Sequence, residues 1–441
     1  MLLSVLSLVL PGLPLAADRS HGAEFYWNTA SHISEEYNDN IFLESEAEDP
    51  EDDWITLLSQ SFTLGIRTEE IDTALNLSIG YALYQEREDA GDVRGSIDLT
   101  GFKDIPLSDN WVLDLDESFS VTEDPIEFGP ASEPDVENVY YSNREERNRY
   151  YRNRFRGELA YRFGERDEFY WGYGNTLLEN SSDTVQDSMQ HQPFAGLRYW
   201  FGVRHGFDVG VNYTRAEFER AERGDPDTVS DFDGLGGSAT YSFRMDPETT
   251  WSLSYSLATR DFDAPGTPDY DIHNARLALT RQLTETLSAS GSVGYYRQEI
   301  DDGTSNEGPS ASLGLTKRFE LGTLQVSGSM GVREQYFEVQ NLGASEYKLV
   351  RASYGFQAAE NVNVTVGAGY FENDYLERDV HTDDHTWYGN ASLSYRILEW
   401  LSAGLKYTHQ ERSADIAENE YKVNRVMLMF TIPYEGRSYE F

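Results

Sequence analysis

Residues 71–83 read IDTALNLSIGYAL. Ile71, Thr73, Leu75, Leu77, Ile79, Tyr81 and Leu83 fall on one parity, and Asp72, Ala74, Asn76, Ser78, Gly80 and Ala82 on the other. Alternation at period two places the sets on opposite faces of an extended strand. Residues 361–370 repeat it, with Val362, Val364, Val366, Ala368 and Tyr370 set against Asn363, Thr365, Gly367 and Gly369. So do residues 287–296, with Leu287, Ala289, Val293 and Tyr295 against Ser288, Ser290, Ser292 and Gly294. Strands of soluble sandwiches average about 5–6 residues. These runs are longer, and a tilted strand of about 9–11 residues is what crosses a bilayer. The polar faces are small, as suits the inside of a wide barrel.

Similar alternation recurs from about residue 24 to 432. Short turns fall near 68–70, 106–110, 164–167, 203–205, 246–248, 284–285, 320–321, 360–361 and 399–400. Between them lie longer acidic loops, the longest at 123–145. Short turns alternating with long loops are the pattern of outer-membrane barrels, with the turns in the periplasm. The runs predict an all-β fold: one antiparallel transmembrane barrel of about 20 strands, 18 or 22 being the alternatives, with both termini periplasmic and no separate plug domain. No apolar run reaches the ~18–20 residues of a membrane helix.

Aromatics follow the turns. Trp111, Trp251, Trp400, Phe169 and Phe207 each sit at or just past a short turn, where rings settle at the headgroup level. They are read as a periplasmic girdle. Residues 1–17, MLLSVLSLVLPGLPLAA, read as a secretory signal with an apolar stretch too short to anchor, leaving 18–441 as the barrel.

The net charge is -42, which excludes nucleic acid as a partner, since phosphate binding needs a basic footprint. Acidic loops suit an outer leaflet of lipopolysaccharide bridged by divalent cations. With no cysteine there is no disulfide, thiolate metal site or lipoprotein anchor. The run ESEAEDPEDD at 44–53 is read as a solvated charge run, since its spacing matches no calcium loop. His381 and His385 are the only close histidine pair, and on a loop they make no metal site. Neither G-x-S-x-G nor HExxH occurs. No cofactor, metal or catalytic residue is expected.

One stretch breaks the neutral pattern of the inner faces. On the strand from about 147 to 163, Arg152, Arg154, Arg156 and Arg162 share a parity with Glu158, opposite Tyr151, Phe155, Leu159, Tyr161 and Phe163. An arginine facing lipid at mid-membrane costs about 2–4 kcal/mol, so these four are expected in the lumen. Asp114 and Asp116 face the same way on the preceding strand. Two readings stay open together: a basic ladder that steers anionic solutes, and a cross-strand salt-bridge ladder.

The segment EEYNDNIF (35–42), the acidic loop after it and the hairpin DDWITLLSQSFTLGIRTEEIDTALNLSIGYALYQE (52–86) resemble the outer-membrane β-barrel porin family associated with exopolysaccharide operons of the PEP-CTERM/EpsH type. The likeness covers about the first 85 residues. It implies a porin-like protein, with polysaccharide-export proteins as implied partners. The ending, with Gly436, Tyr439 and Phe441, resembles the C-terminal signal read by the barrel assembly machinery. Pro433 departs from that signal, and the last strand is expected to end near Ile432 or bend there.

The expected function is a passive outer-membrane channel for hydrophilic solutes. The alternatives are a conduit for exopolysaccharide, and a surface structural protein, adhesin or rim enzyme. Nothing in the sequence fixes the oligomeric state. A barrel this wide needs an inward loop, and 123–145 is the candidate.

Overall fold

The computed structural model describes residues 24–68, 72–87, 91–100, 102–122, 149–181, 186–219, 230–264, 267–334, 344–376, 383–415, 417, 420–436 and 439–440. The signal segment 1–17, the loop 123–145, His381 and Phe441 lie outside them. The strands are β1 (Glu24–Asn38), β2 (Asp53–Arg67), β3 (Asp72–Tyr84), β4 (Asp92–Thr100), β5 (Ile105–Pro106), β6 (Trp111–Thr122), β7 (Tyr150–Arg162), β8 (Glu168–Asn180), β9 (Ser188–Phe201), β10 (His205–Phe218) and β11 (Phe232–Asp246). They continue as β12 (Thr249–Phe262), β13 (Tyr270–Thr284), β14 (Leu287–Ile300), β15 (Ser305–Arg318), β16 (Gly322–Glu334), β17 (Ala344–Ala359), β18 (Val362–Tyr375), β19 (Asp383–Leu398), β20 (Leu401–Ala414), β21 (Tyr421–Glu435) and β22 (Tyr439–Glu440).

Each long strand pairs antiparallel with its sequence neighbours, and β1 closes the ring on β21, from Asn28↔Glu435 to Asn38↔Arg425. β5 pairs with β6 beside β4, and β22 pairs with β1 beyond β21, so each two-residue piece prolongs a broken wall strand. The wall is thus a closed 20-stranded barrel, as the alternation predicts. No helix among the described residues is long and apolar enough to cross a membrane.

The parity holds from Ile79 onward. Ile79, Tyr81 and Leu83 are exposed on the outside, while Ala82 and Tyr84 are buried on the inside. Leu253, Val293, Leu313 and Val350 are likewise more than half exposed, an apolar belt that would be a liability in water. Twenty strands spaced about 4.8 Å apart and tilted about 40° enclose a ring about 40 Å across, wall to wall.

Pro433 does not end the last strand. β21 runs through it to Glu435, with Pro433 opposite Ala30. The Gly436 N–H donates to the carbonyl of Trp27 (2.9 Å), so residues of that parity point to β1 and Pro433 points the other way. On that side the ladder with β20 has already ended at Thr431, and the N–H that proline lacks has no partner to lose. Tyr439 then pairs with Phe25.

Trp111, Phe169, Phe207, Trp251 and Trp400 all lie beside short turns, exposed or half-exposed. Trp111 packs on Tyr161 and edge-on to Trp171, and Phe207 on Phe201 and Tyr241.

Candidate functional site

The strand pairing sets Arg152 opposite Ser120, Arg154 opposite Ser118, Arg156 opposite Asp116 and Glu158 opposite Asp114, all on the inner face. Arg152 is only 4% exposed, and Arg156 is exposed to the lumen. The Arg156 guanidinium lies 3.2 Å from Glu158 and 3.9 Å above the Phe194 ring. Arg162 opens a row of alternating charge across four strands: it pairs with Asp104 and Glu168, Arg198 binds Glu168 (2.5 Å), and Arg198 also binds Asp208 (2.9 Å). Arg198 stacks on Tyr170 as well. Asp114 takes another role: it accepts the backbone N–H of Asp104 (2.5 Å), which has left-handed geometry (φ 57°), and fastens the break between β4 and β5. Arg198 and Asp208 are further members of the row that the sequence pattern left unassigned.

Residues 39–52, between β1 and β2, fold against the inner wall at its long-loop end. Asn38 and Asn40 turn the chain inward: Asn38 accepts the Asn40 N–H (3.0 Å), and the Asn40 amide bridges the carbonyls of Glu44 (2.7 Å) and Lys422 (3.1 Å). Asp39 accepts both the backbone and the side-chain N–H of Asn424 (2.6 and 2.7 Å). So anchored, the loop presses its apolar residues on the inner wall. Ile41 packs with Ile55, Ala82 and Tyr84, and Leu43 with Tyr421 and Val423. Phe42 lies under the Arg87 guanidinium, which also binds Glu51 (2.7 Å).

The buried Asp53 carboxylate accepts the N–H groups of Trp54, Gln85, Glu86 and Arg87 at 2.7–3.2 Å, tying this loop to the next. The reading of 44–53 as a solvated charge run is therefore corrected for Glu51 and Asp53, which are fixed by an arginine and by backbone donors. Burial, with Glu51 close by, raises the Glu44 carboxyl above its ordinary value.

A second element leans inward. The β15–β16 ladder stops at Ala311↔Met330, whereas β16 stays with β17 as far as Glu334↔Ala344. Freed from β15, the pair tips over its inner face, so that a Cβ on Gly331 would lie 3.4 Å from Ser310 and 3.8 Å from the Arg276 guanidinium. Val332 packs against the buried cluster of Ala216, Phe218, Phe232, Tyr270 and Ile272. Glu334 binds Arg260 (2.6 Å) and accepts from the Tyr270 hydroxyl (2.8 Å).

Nearby, Arg333 donates to Asn373 (2.7 Å), and Asp384 accepts from Asn373 (3.0 Å), Tyr375 (2.7 Å) and Arg412 (2.7 Å). The signal for the first loop was present in the sequence, as three apolar residues heading an acidic loop. Nothing signals the second, because Val332 continues the outward parity of Leu324, Val326 and Met330.

No protein-family model and no curated protein sequence matches the chain. Solved structures do. The FrpB iron transporter from Neisseria meningitidis (F5-1 variant) is 9% identical with a TM-score of 0.53, over 93% of this chain and 82% of its own. A mutant of the ferric enterobactin receptor PfeA from Pseudomonas aeruginosa is 9% identical with a TM-score of 0.50, over 94% and 81%. The outer membrane protein opdK from Pseudomonas aeruginosa is 10% identical over 94% of this chain and 99% of its own, but its TM-score of 0.42 adds nothing to the argument. At such identities the first two establish a shared fold, that of outer-membrane β-barrel proteins.

Proposed function

We propose that the chain is a porin-like channel of a Gram-negative outer membrane, passing hydrophilic solutes through a lumen gated at its long-loop end. The observation that carries this is the inner face itself. In the half near the short turns it is lined largely by polar and charged residues, and those such as Gln282, Asn363, Ser394 and Arg396 are open to solvent. A barrel built only to hold its shape has no need of a wet half-lumen.

In this reading the leader 1–17 is removed, the termini and short turns face the periplasm, the assembly machinery reads the C-terminus, and the long acidic loops meet lipopolysaccharide. Arg152, Arg154 and Arg156 with Asp116 set a transverse field across the lumen, while Arg162, Glu168, Arg198 and Asp208 form a neutral brace below. A conduit for exopolysaccharide is the second reading. What favours it is that Tyr37–Phe42, which carry the family resemblance, head the loop that closes the lumen.

Single-channel recording in planar bilayers tests the first reading. Steady conductance is expected, with an anion preference that falls in Arg152/Arg154/Arg156→Ala. A barrel silent both as wild type and with the closing loop removed would refute a diffusion channel. Deleting 126–141 tests whether the loop 123–145 also narrows the lumen, by whether conductance rises.

A further inference from the structure

At one junction the ladder does not seal the wall to its long-loop end. The β15–β16 pairing stops at Ala311↔Met330, yet β15 extends beyond it to Ser305 and β16 to Glu334. On either side, β14–β15 stays paired to Glu299↔Ser305 and β16–β17 to Glu334↔Ala344. Among the described residues no other two long strands part while both continue in this way.

The missing pairs would be Pro309↔Val332 and Glu307↔Glu334. Arg318 donates its N–H towards β14, to Thr286, and Phe319 towards β16, to Gly322. Odd-numbered residues of β15 thus turn their backbone groups to β16, and Pro309 lacks the N–H that would bond there. The pair after it would oppose Glu307 and Glu334 directly, and like charges so placed are destabilising. The end of β16–β17 instead passes behind β15. Val332 packs on the inner cluster, Glu334 binds Arg260, and Tyr296 on the inner face of β14 donates to Glu346.

A cation reaches this seam from the lumen. The Arg276 side chain leaves β13 and crosses β14 at Gly294, where a Cβ would lie 2.6 Å from its Cγ and 2.6 Å from the Ser310 hydroxyl. Its guanidinium ends 3.8 Å from where a Cβ of Gly331 would stand. The Arg276 Nε donates to Asn274 (3.3 Å), and its terminal nitrogens meet no carboxylate among the described residues, in a chain of net charge -42. Below the seam the outer face carries Leu313, Ala311 and Met330. Ala311 stands about 18 Å along the barrel axis from the end of β15, so the seam opens in the outer part of an apolar band about 25 Å tall.

We infer that the β15–β16 seam is a lateral binding site for a membrane-borne amphiphile with an anionic head. The head pairs with the terminal nitrogens of Arg276, since a guanidinium takes a carboxylate or phosphate in two parallel bonds. The alkyl chain leaves through the seam above the Ala311–Met330 pair and stays in the outer leaflet. At this height a polar lumen and the acyl chains meet across one wall, so each half of such a molecule finds its own solvent. The site lies beyond a channel for hydrophilic solutes and does not depend on the anion preference of the β7 arginines.

The test uses the full chain in phosphatidylcholine vesicles with a hexadecanoate probe that carries a photoreactive diazirine near its carboxylate. Labelling mapped by mass spectrometry is expected in the seam-lining segments of β13–β16, at least severalfold above that by the matching hexadecanol probe. Arg276→Gln is expected to bring the acid down to the level of the alcohol. The chain has no cysteine, so an introduced pair reports alone. In Ser310→Cys/Gly331→Cys the two Cβ atoms stand 3.4 Å apart, close to the spacing of about 3.8 Å in a disulfide. Oxidation should tie the seam and lower labelling severalfold, and a reductant should restore it. Equal labelling by acid and alcohol, labelling unchanged in Arg276→Gln, or labelling indifferent to oxidation would overturn the site. If the double variant assembles poorly, the acid and alcohol probes on wild type and Arg276→Gln decide.

Discussion

The two ends of the inner wall differ although the same strands build both. Near the long loops, Thr214, Ala216 and Phe218 of β10 and Thr408, Gln410 and Arg412 of β20 are buried. Near the short turns, Gln282 and Thr284 of β13 and Ser394 and Arg396 of β19 are exposed. Strand chemistry differs as well, since the buried end adds Ala216, Phe218, Phe232, Tyr270 and Ile272 to its polar residues. What is folded against them differs too: residues 39–52 and the end of β16 around Val332 and Glu334 at one end, short turns at the other. The ladder fixes which side a residue faces, while burial on the inner side is decided by segments outside the ladder.

That contrast can be broken in graded steps. Replacing Ile41, Phe42 and Leu43 by serine together removes apolar anchors contributing about 2 kcal/mol each. The seated loop should lose to the unseated one by a hundredfold or more, and bilayer recordings should show conductance rise severalfold. No change would mean that the loop does not close the lumen.

Asp53→Asn weakens four bonds to a charged acceptor, about 1.5–3 kcal/mol in all. Hydrogen exchange at Gln85, Glu86 and Arg87 should accelerate about tenfold or more, whereas unchanged protection would assign the turn's rigidity to something else. Glu334→Ala removes the Arg260 pair and the Tyr270 bond and should loosen the end of β16 by about 1–2 kcal/mol. More frequent brief openings are expected, with the first loop still seated; a quiet trace would count against the hairpin as a second closure.

The smallest effect is that of pH. Glu44 is held above its ordinary value in the seated loop, so its contribution to seating is fully present below the ordinary carboxylate range and lost as pH rises through the raised value. Moving from pH 7 to about 4 should lower open probability, and Glu44→Gln should blunt the response. An identical pH response in the variant would assign it to other carboxylates.

Alternation made the wall legible: the outward setting of Ile79, Tyr81 and Leu83 and the number of strands follow from period two. The inner arginines followed from the cost of facing lipid. Their partners did not, because Arg198 and Asp208 belong to strands whose place beside Arg162 depends on register. The segments folded against the inner wall were hidden for two reasons. The apolar Ile41, Phe42 and Leu43 stand at the head of a run whose charge invites a solvent reading, and β16 leaves its neighbour at Met330 without any change in pattern.

The join between β1 and β21 bears on how the barrel is made. Apart from the two-residue β1–β22 pairing that prolongs it, every other ladder links strands close in the chain, whereas this one waits for the last long strand to be synthesised. Until then β1 presents a bare hydrogen-bonding edge, open to pairing with the wrong strand or with another chain, and something must guard it. Once joined, Trp27 and Tyr434 sit 5.6 Å apart, ring centre to ring centre. The beginning and end of the barrel are thus neighbours, and a circular permutant that links them and is cut in another short turn should still close, with its vulnerable edge moved to a different strand.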